Sequence, residues 1–147
     1  MIATSQQVNP LARFVTKEAI ALHLKIEVAR IKEIRLWPNV ILVVAQGLTR
    51  FVSYADIPPI IEVEPPQTPD FSRWRKRWNK SETKRSPEFW EEFYRQKFCE
   101  AASVAVLQTW GRLVGIIKSV MSQTALESLR TQYAETKNTL QLSLYLS

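Results

Sequence analysis

The 147-residue chain carries a formal charge of +6, a sequence pI of about 9.7 and 46% apolar residues. That apolar share supports a packed core and argues against global disorder, while the positive balance favours an anionic partner. The single cysteine, Cys99, rules out an internal disulfide or a cysteine metal knot, and no run approaches the ~18 apolar residues of a membrane span.

The opening "MIATSQQVNP" has neither a charged n-region nor an apolar h-region, so a cytoplasmic protein without a leader is expected. Thr16 is placed to cap a helix with Glu18 in its first turn. "TKEAIALHL" then sets Ala19, Ile20, His23 and Leu24 along one stripe. His23 reads as a packed core or boundary histidine rather than a ligand. After a break at Lys25-Ile26-Glu27, "VARIKEIRLW" predicts a second short helix. Val28, Ile31 and Ile34 would face inward, Arg30, Lys32 and Arg35 outward, and Pro38 would stop it. "NVILVVAQGLTRFVS" predicts a hairpin with Gly47 at positive φ in the turn, and Ser53 caps the short turn "YADI". Residues 58–69, "PPIIEVEPPQTP", hold five prolines and predict a stiff, extended linker at a domain boundary.

In "FSRWRKRW", Phe71, Trp74 and Trp78 fall at helical spacing, and Arg73, Arg75, Lys76 and Arg77 cover the rest of the surface. Residues 66–98 carry nine Lys/Arg against five Asp/Glu, so the basic excess is central. The rings read as a packing face and the cations as phosphate contacts. Stacking of the tryptophans on unpaired bases and a membrane-surface helix are the lesser readings. Ser86-Pro87-Glu88 predicts the start of a long helix reaching toward residue 120. Phe89, Trp90, Phe93 and Tyr94 begin its apolar surface, Cys99 is a small buried residue, and Gly111 and Gly115 permit close helix approach. Thr124 to Glu127 fits a capping box for a further helix bearing Leu126, Leu129 and Tyr133. "TLQLSLYLS" alternates strictly and predicts a half-buried strand.

The order helix, tight break, helix, hairpin, short helix across "TKEAIALHLKIEVARIKEIRLWPNVILVVAQGLTRFVSYADI" resembles the compact winged helix-turn-helix of MerR-type regulators and phage excisionases. The overall layout is also similar to the small MerR-like repressors found beside type V-K CRISPR-associated transposons. Those families place Gly and Ser/Thr at the tight turn where this chain has Lys25 and Glu27. Carried over residue by residue, the resemblance implicates Arg30, Lys32 and Arg35 on a reading helix, and Gln46, Thr49 and Arg50 on the wing.

No Walker loop, metal-ligand spacing or Ser/His/Asp or Cys/His set is present, so no enzyme, cofactor or metal is expected. The expected fold is α+β and mostly helical. A winged helix-turn-helix spans 12–61, the Pro-rich linker and basic aromatic segment 62–85, and a helical dimerisation region with a C-terminal strand 86–147. The expected function is transcriptional regulation, a repressor occupying promoter DNA as a homodimer. No small-molecule effector is expected, since one long and one shorter helix account for residues 86–138. The alternatives are a DNA-architectural or recombination accessory factor, and a scaffold docking a partner on Phe89, Trp90, Phe93 and Tyr94.

Overall fold

The computed structural model describes residues 8–146. The leader reading of residues 1–7 and the last position of the expected terminal strand, Ser147, lie outside the described residues. The described chain is α+β, with five α-helices and one three-stranded antiparallel sheet.

A 3-10 turn at Pro10–Phe14 leads into helix α1, Lys17–Leu24. Thr16 caps it, its side-chain oxygen accepting from the Ala19 N–H at 3.1 Å. Lys25 ends it in the left-handed region (φ 59°), its N–H turned back to the Ala21 and Leu22 carbonyls. The break is therefore made by a lysine in a conformation that usually calls for glycine.

The second helix does not form. Val28–Arg30 is a single 3-10 turn, and Ile31–Leu36 is a strand, β1. The reason lies in a bulge: pairing with the next strand shifts register between Ile31 and Glu33. An extra residue there turns a strand spacing of two into three, so Ile31 and Ile34 both reach the core while mimicking helical periodicity. The hairpin is as expected, with β2 at Ile41–Ala45, β3 at Leu48–Val52 and Gly47 at φ +76° in a two-residue turn. The sheet order is β1-β2-β3. Ser53 caps the Tyr54–Asp56 turn through the Ala55 N–H.

The proline-rich stretch is packed rather than free. Ile57, Pro58 and Pro59 are buried. The Tyr94 hydroxyl donates to the Pro59 carbonyl at 2.7 Å, and Arg13 donates to the carbonyls of Glu64 (2.8 Å) and Pro65 (3.2 Å). A single apolar cluster runs from Leu11 to Leu129 across both sides of it.

Helix α2 spans Thr68–Trp78 and α3 Phe89–Glu100. The expected long helix then breaks at residues 101–103, and α4 starts afresh at Val104–Ile117. Ser103 is the cause, its side-chain oxygen capping the Val106 N–H at 3.2 Å. Cys99, in the last turn of α3, is exposed rather than buried. Helix α5 covers Gln123–Leu146. Its cap is Ser122, which accepts from the Ala125 N–H at 3.1 Å, two residues before the expected box. The expected terminal strand is helical too. Among the described residues α5 packs on α3 and α4 rather than beside the sheet, and continuing the helix satisfies the backbone N–H groups within the segment. Leu140 is half-buried against the core, while Leu142 and Tyr145 are exposed.

Trp74, Trp90, Phe93 and Tyr94 are essentially fully buried. Trp74 stacks on Trp78 (centroids 5.9 Å apart) and meets Trp90 edge-on at 5.5 Å, an arrangement that suits the ring quadrupoles. Of the four α3 rings expected to dock a partner, Trp90, Phe93 and Tyr94 are covered within the chain, while Phe89 is half-buried against His23.

Candidate nucleic-acid interface

Sequence assigns base reading to the N-terminal residues and added backbone contacts to α2, whose two faces differ sharply. Phe71, Trp74 and Trp78 anchor one side. Arg73, Lys76 and Arg77, spaced i, i+3, i+4, share the opposite side, and Arg75 also points to solvent. The burial of Trp74 and Trp78 removes them as stacking platforms for unpaired bases.

Two buried-side carboxylates hold the helix in place. Asp70 accepts from the Gln67 N–H at 2.8 Å and from Arg13 at 2.7 Å, with Arg73 at 3.3 Å. Burial pushes the Asp70 carboxyl up, but the Arg13 hydrogen bond, the Gln67 N–H and the charges of Arg13 and Arg73 outweigh it and hold the group below its ordinary value. Asp56 accepts from the Trp78 indole at 3.3 Å and lies 3.5 Å from Arg77. His23, ring-to-ring with Phe89 at 4.6 Å, belongs to the same neighbourhood. Burial lowers its pKa, partly offset by Asp56 and reinforced by Arg77. It is a boundary histidine, as its stripe position implies.

After α2 the cations continue. Ser81 donates to the Trp78 carbonyl at 2.8 Å and accepts from the Lys84 N–H at 3.3 Å, Lys84 taking φ 54°. Arg85 reaches the Ser119 carbonyl at 3.2 Å and the Ser86 N–H the Val120 carbonyl at 2.9 Å. The loop is therefore tied at both ends. Residues 73–85 hold seven Lys/Arg, all exposed, against Glu82 alone. That net of +6 equals the charge of the whole chain, and the remainder balances thirteen Lys/Arg with thirteen Asp/Glu.

The N-terminal site residues separate into three settings. Arg30 and Gln46 clasp each other: the Arg30 guanidinium donates to the Gln46 carbonyl at 2.7 Å, and the Gln46 N–H to the Arg30 carbonyl at 2.8 Å. Arg30 braces the hairpin turn instead of standing on a reading helix. Lys32 is exposed at the bulge of β1. Arg35 and Thr49 lie on the outer sheet face, in the rows Arg35–Leu42–Phe51 and Glu33–Val44–Thr49. Arg35 is held by Glu33 at 2.7 Å, a hydrogen bond that lowers the Glu33 pKa and raises that of Arg35. Arg50, opposite Val43, is exposed on the other face of the edge strand.

Lys80, Lys84 and Arg85 are the cations that reading by helical motif passes over; a charge count along the chain finds them. The exposed ring pair Trp37 and Phe51, 5.6 Å apart on the outer sheet face, has no signal in sequence because it depends on β1 being a strand. Among the described residues no His/Cys/Asp/Glu group is arranged to hold a metal ion, and no helix is long and apolar enough to cross a membrane. Compared with family models, curated proteins and solved structures, the chain matches none.

Proposed function

We propose that the protein binds duplex DNA through the basic surface of residues 73–85 and acts as a transcriptional regulator, a repressor by occupancy. The observation that carries this reading is the concentration of the entire net charge, +6, on one exposed segment anchored by buried tryptophans. A solvated helix face needs no such excess, whereas a polyanion rewards it by counterion release. The backbone contacts are sequence-independent. The outer sheet face adds Arg35 and Thr49, with Lys32 exposed at the bulge of β1, and strands of this kind enter a groove in known β-sheet readers. Arg50 and the hairpin tip at Gln46 flank that face. This arrangement replaces a reading helix with a sheet.

Homodimerisation belongs to the same proposal. Helix α5, 24 residues long, spans roughly 36 Å at 1.5 Å per residue, against 12 and 14 residues for α3 and α4. Its last turns outrun the helices packed on it and expose Leu142 and Tyr145. A symmetric pairing there sets two basic surfaces on one duplex.

The test is fluorescence anisotropy with a random-sequence duplex and its single strand at low salt, with sedimentation of the same sample. Tighter binding to the duplex, by a species of twice the chain mass, is expected. Binding to neither nucleic acid would sink the reading. Preference for the single strand would move the function to the Trp37–Phe51 ring pair, where base stacking takes over.

A further inference from the structure

A cleft lies between α4 and α5, with Phe98 of α3 also lining it. It is an open groove with a volume of about 510 Å³, within the range of small-molecule sites. Its floor is apolar, formed by Phe98, Leu126, Leu129 and Tyr133. Three cations also line it, Arg112, Lys118 and Arg130, and no carboxylate does. None of the three forms a salt bridge among the described residues; Arg112 reaches only the Thr109 hydroxyl of its own helix, at 3.5 Å. Unmatched like charges set around an apolar floor leave both a field and a surface uncompensated.

The two glycines of α4 differ in a telling way. At Gly111 an added Cβ would meet the Tyr133 ring at 2.6 Å, so close helix approach accounts for it. At Gly115, which also lines the cleft, an added Cβ meets nothing within 4 Å. Glycine weakens a helix interior relative to alanine, and no contact within the fold requires it here. Its effect is to leave the cleft open.

We infer that this cleft is a binding site for a small amphipathic organic anion, its apolar body on the Leu126–Leu129–Tyr133 floor and its anionic head among Arg112, Lys118 and Arg130. An apolar body gains by burial, and the head gains charge-assisted hydrogen bonds from donors that no carboxylate engages among the described residues. The site lies on residues separate from the basic segment 73–85 and stands whether or not that segment binds DNA.

The experiment titrates the full chain with 8-anilinonaphthalene-1-sulfonate, an aromatic sulfonate of this class, and with N-phenyl-1-naphthylamine, a neutral counterpart. One saturable sulfonate site is expected, with the neutral amine weaker by about tenfold or more. Gly115→Leu fills the cleft and should weaken the sulfonate by about tenfold or more while leaving the thermal transition in place. Lys118→Gln with Arg130→Gln, both on exposed side chains, should weaken the sulfonate several-fold and leave the amine unchanged. Unaltered sulfonate binding in both variants, or equal binding of the two dyes by the unsubstituted chain, would overturn the inference.

Discussion

Asp70 shows how much a single residue contributes to the candidate interface. It is a carboxylate on an otherwise cationic helix, 3% exposed, and it satisfies Arg13, Arg73 and the Gln67 N–H together. Asp70→Asn keeps the shape and removes the charge. A hydrogen bond to a charged group contributes ~1.5–3 kcal/mol, so a loss of about 2 kcal/mol at neutral pH is expected in urea unfolding. The pH dependence has a definite sign. The folded carboxyl titrates below its ordinary value, so its contribution is complete above the unfolded pKa and lost as pH falls through the folded one. The difference between the two proteins should therefore be widest near neutrality and close in acid. A difference independent of pH would mean the charge plays no part. The sequence reading passes over Asp70, because its partner Arg13 lies 57 residues away, a separation that no local pattern encodes.

At the scale of elements, the parts with two agreeing local signals were readable. Helix α1 has both a cap and a stripe, the hairpin has alternation and Gly47, and α2 has an aromatic row opposite cations. Where one signal stood alone it misled. The spacing of Ile31 and Ile34 looks helical because the bulge inserts a residue, and the alternating leucines after Thr139 look like a strand although they continue α5, which packs on α3 and α4. Ser103 ends the long-helix reading through a single hydroxyl. Helix α2 itself depends on its rings. Trp74→Ala should cost about 3–5 kcal/mol by opening a large cavity. Trp74→Phe should cost much less, since it keeps an aromatic ring in place and removes Nε1, the buried side-chain polar atom without a hydrogen-bond partner among the described residues. Equal losses in the two variants would show that the indole edge, and not ring volume, holds the helix.

Across the whole molecule, composition suggests a boundary at residues 58–69, yet the core continues through it. Proline content reports backbone stiffness, not whether the stiff segment is covered; here Tyr94 and Arg13 cover it through carbonyls that sequence does not mark as acceptors. Phe14 and Ile57 share the cluster that contains Trp74 and Trp90. A fragment of residues 1–70 should consequently lack cooperative unfolding by circular dichroism, and a sharp thermal transition in it would restore an independent N-terminal domain. The central claim, that the concentrated charge of residues 73–85 exists to meet phosphate, is tested most directly by the salt dependence of duplex affinity. Arg75, Lys76, Lys80 and Lys84 are exposed and form no salt bridge among the described residues. Each phosphate contact adds about 0.9 to the slope of log affinity against log salt. Replacing all four by Gln should flatten that slope by about 2 to 4 while thermal stability stays unchanged; an identical slope in the substituted protein would contradict the account.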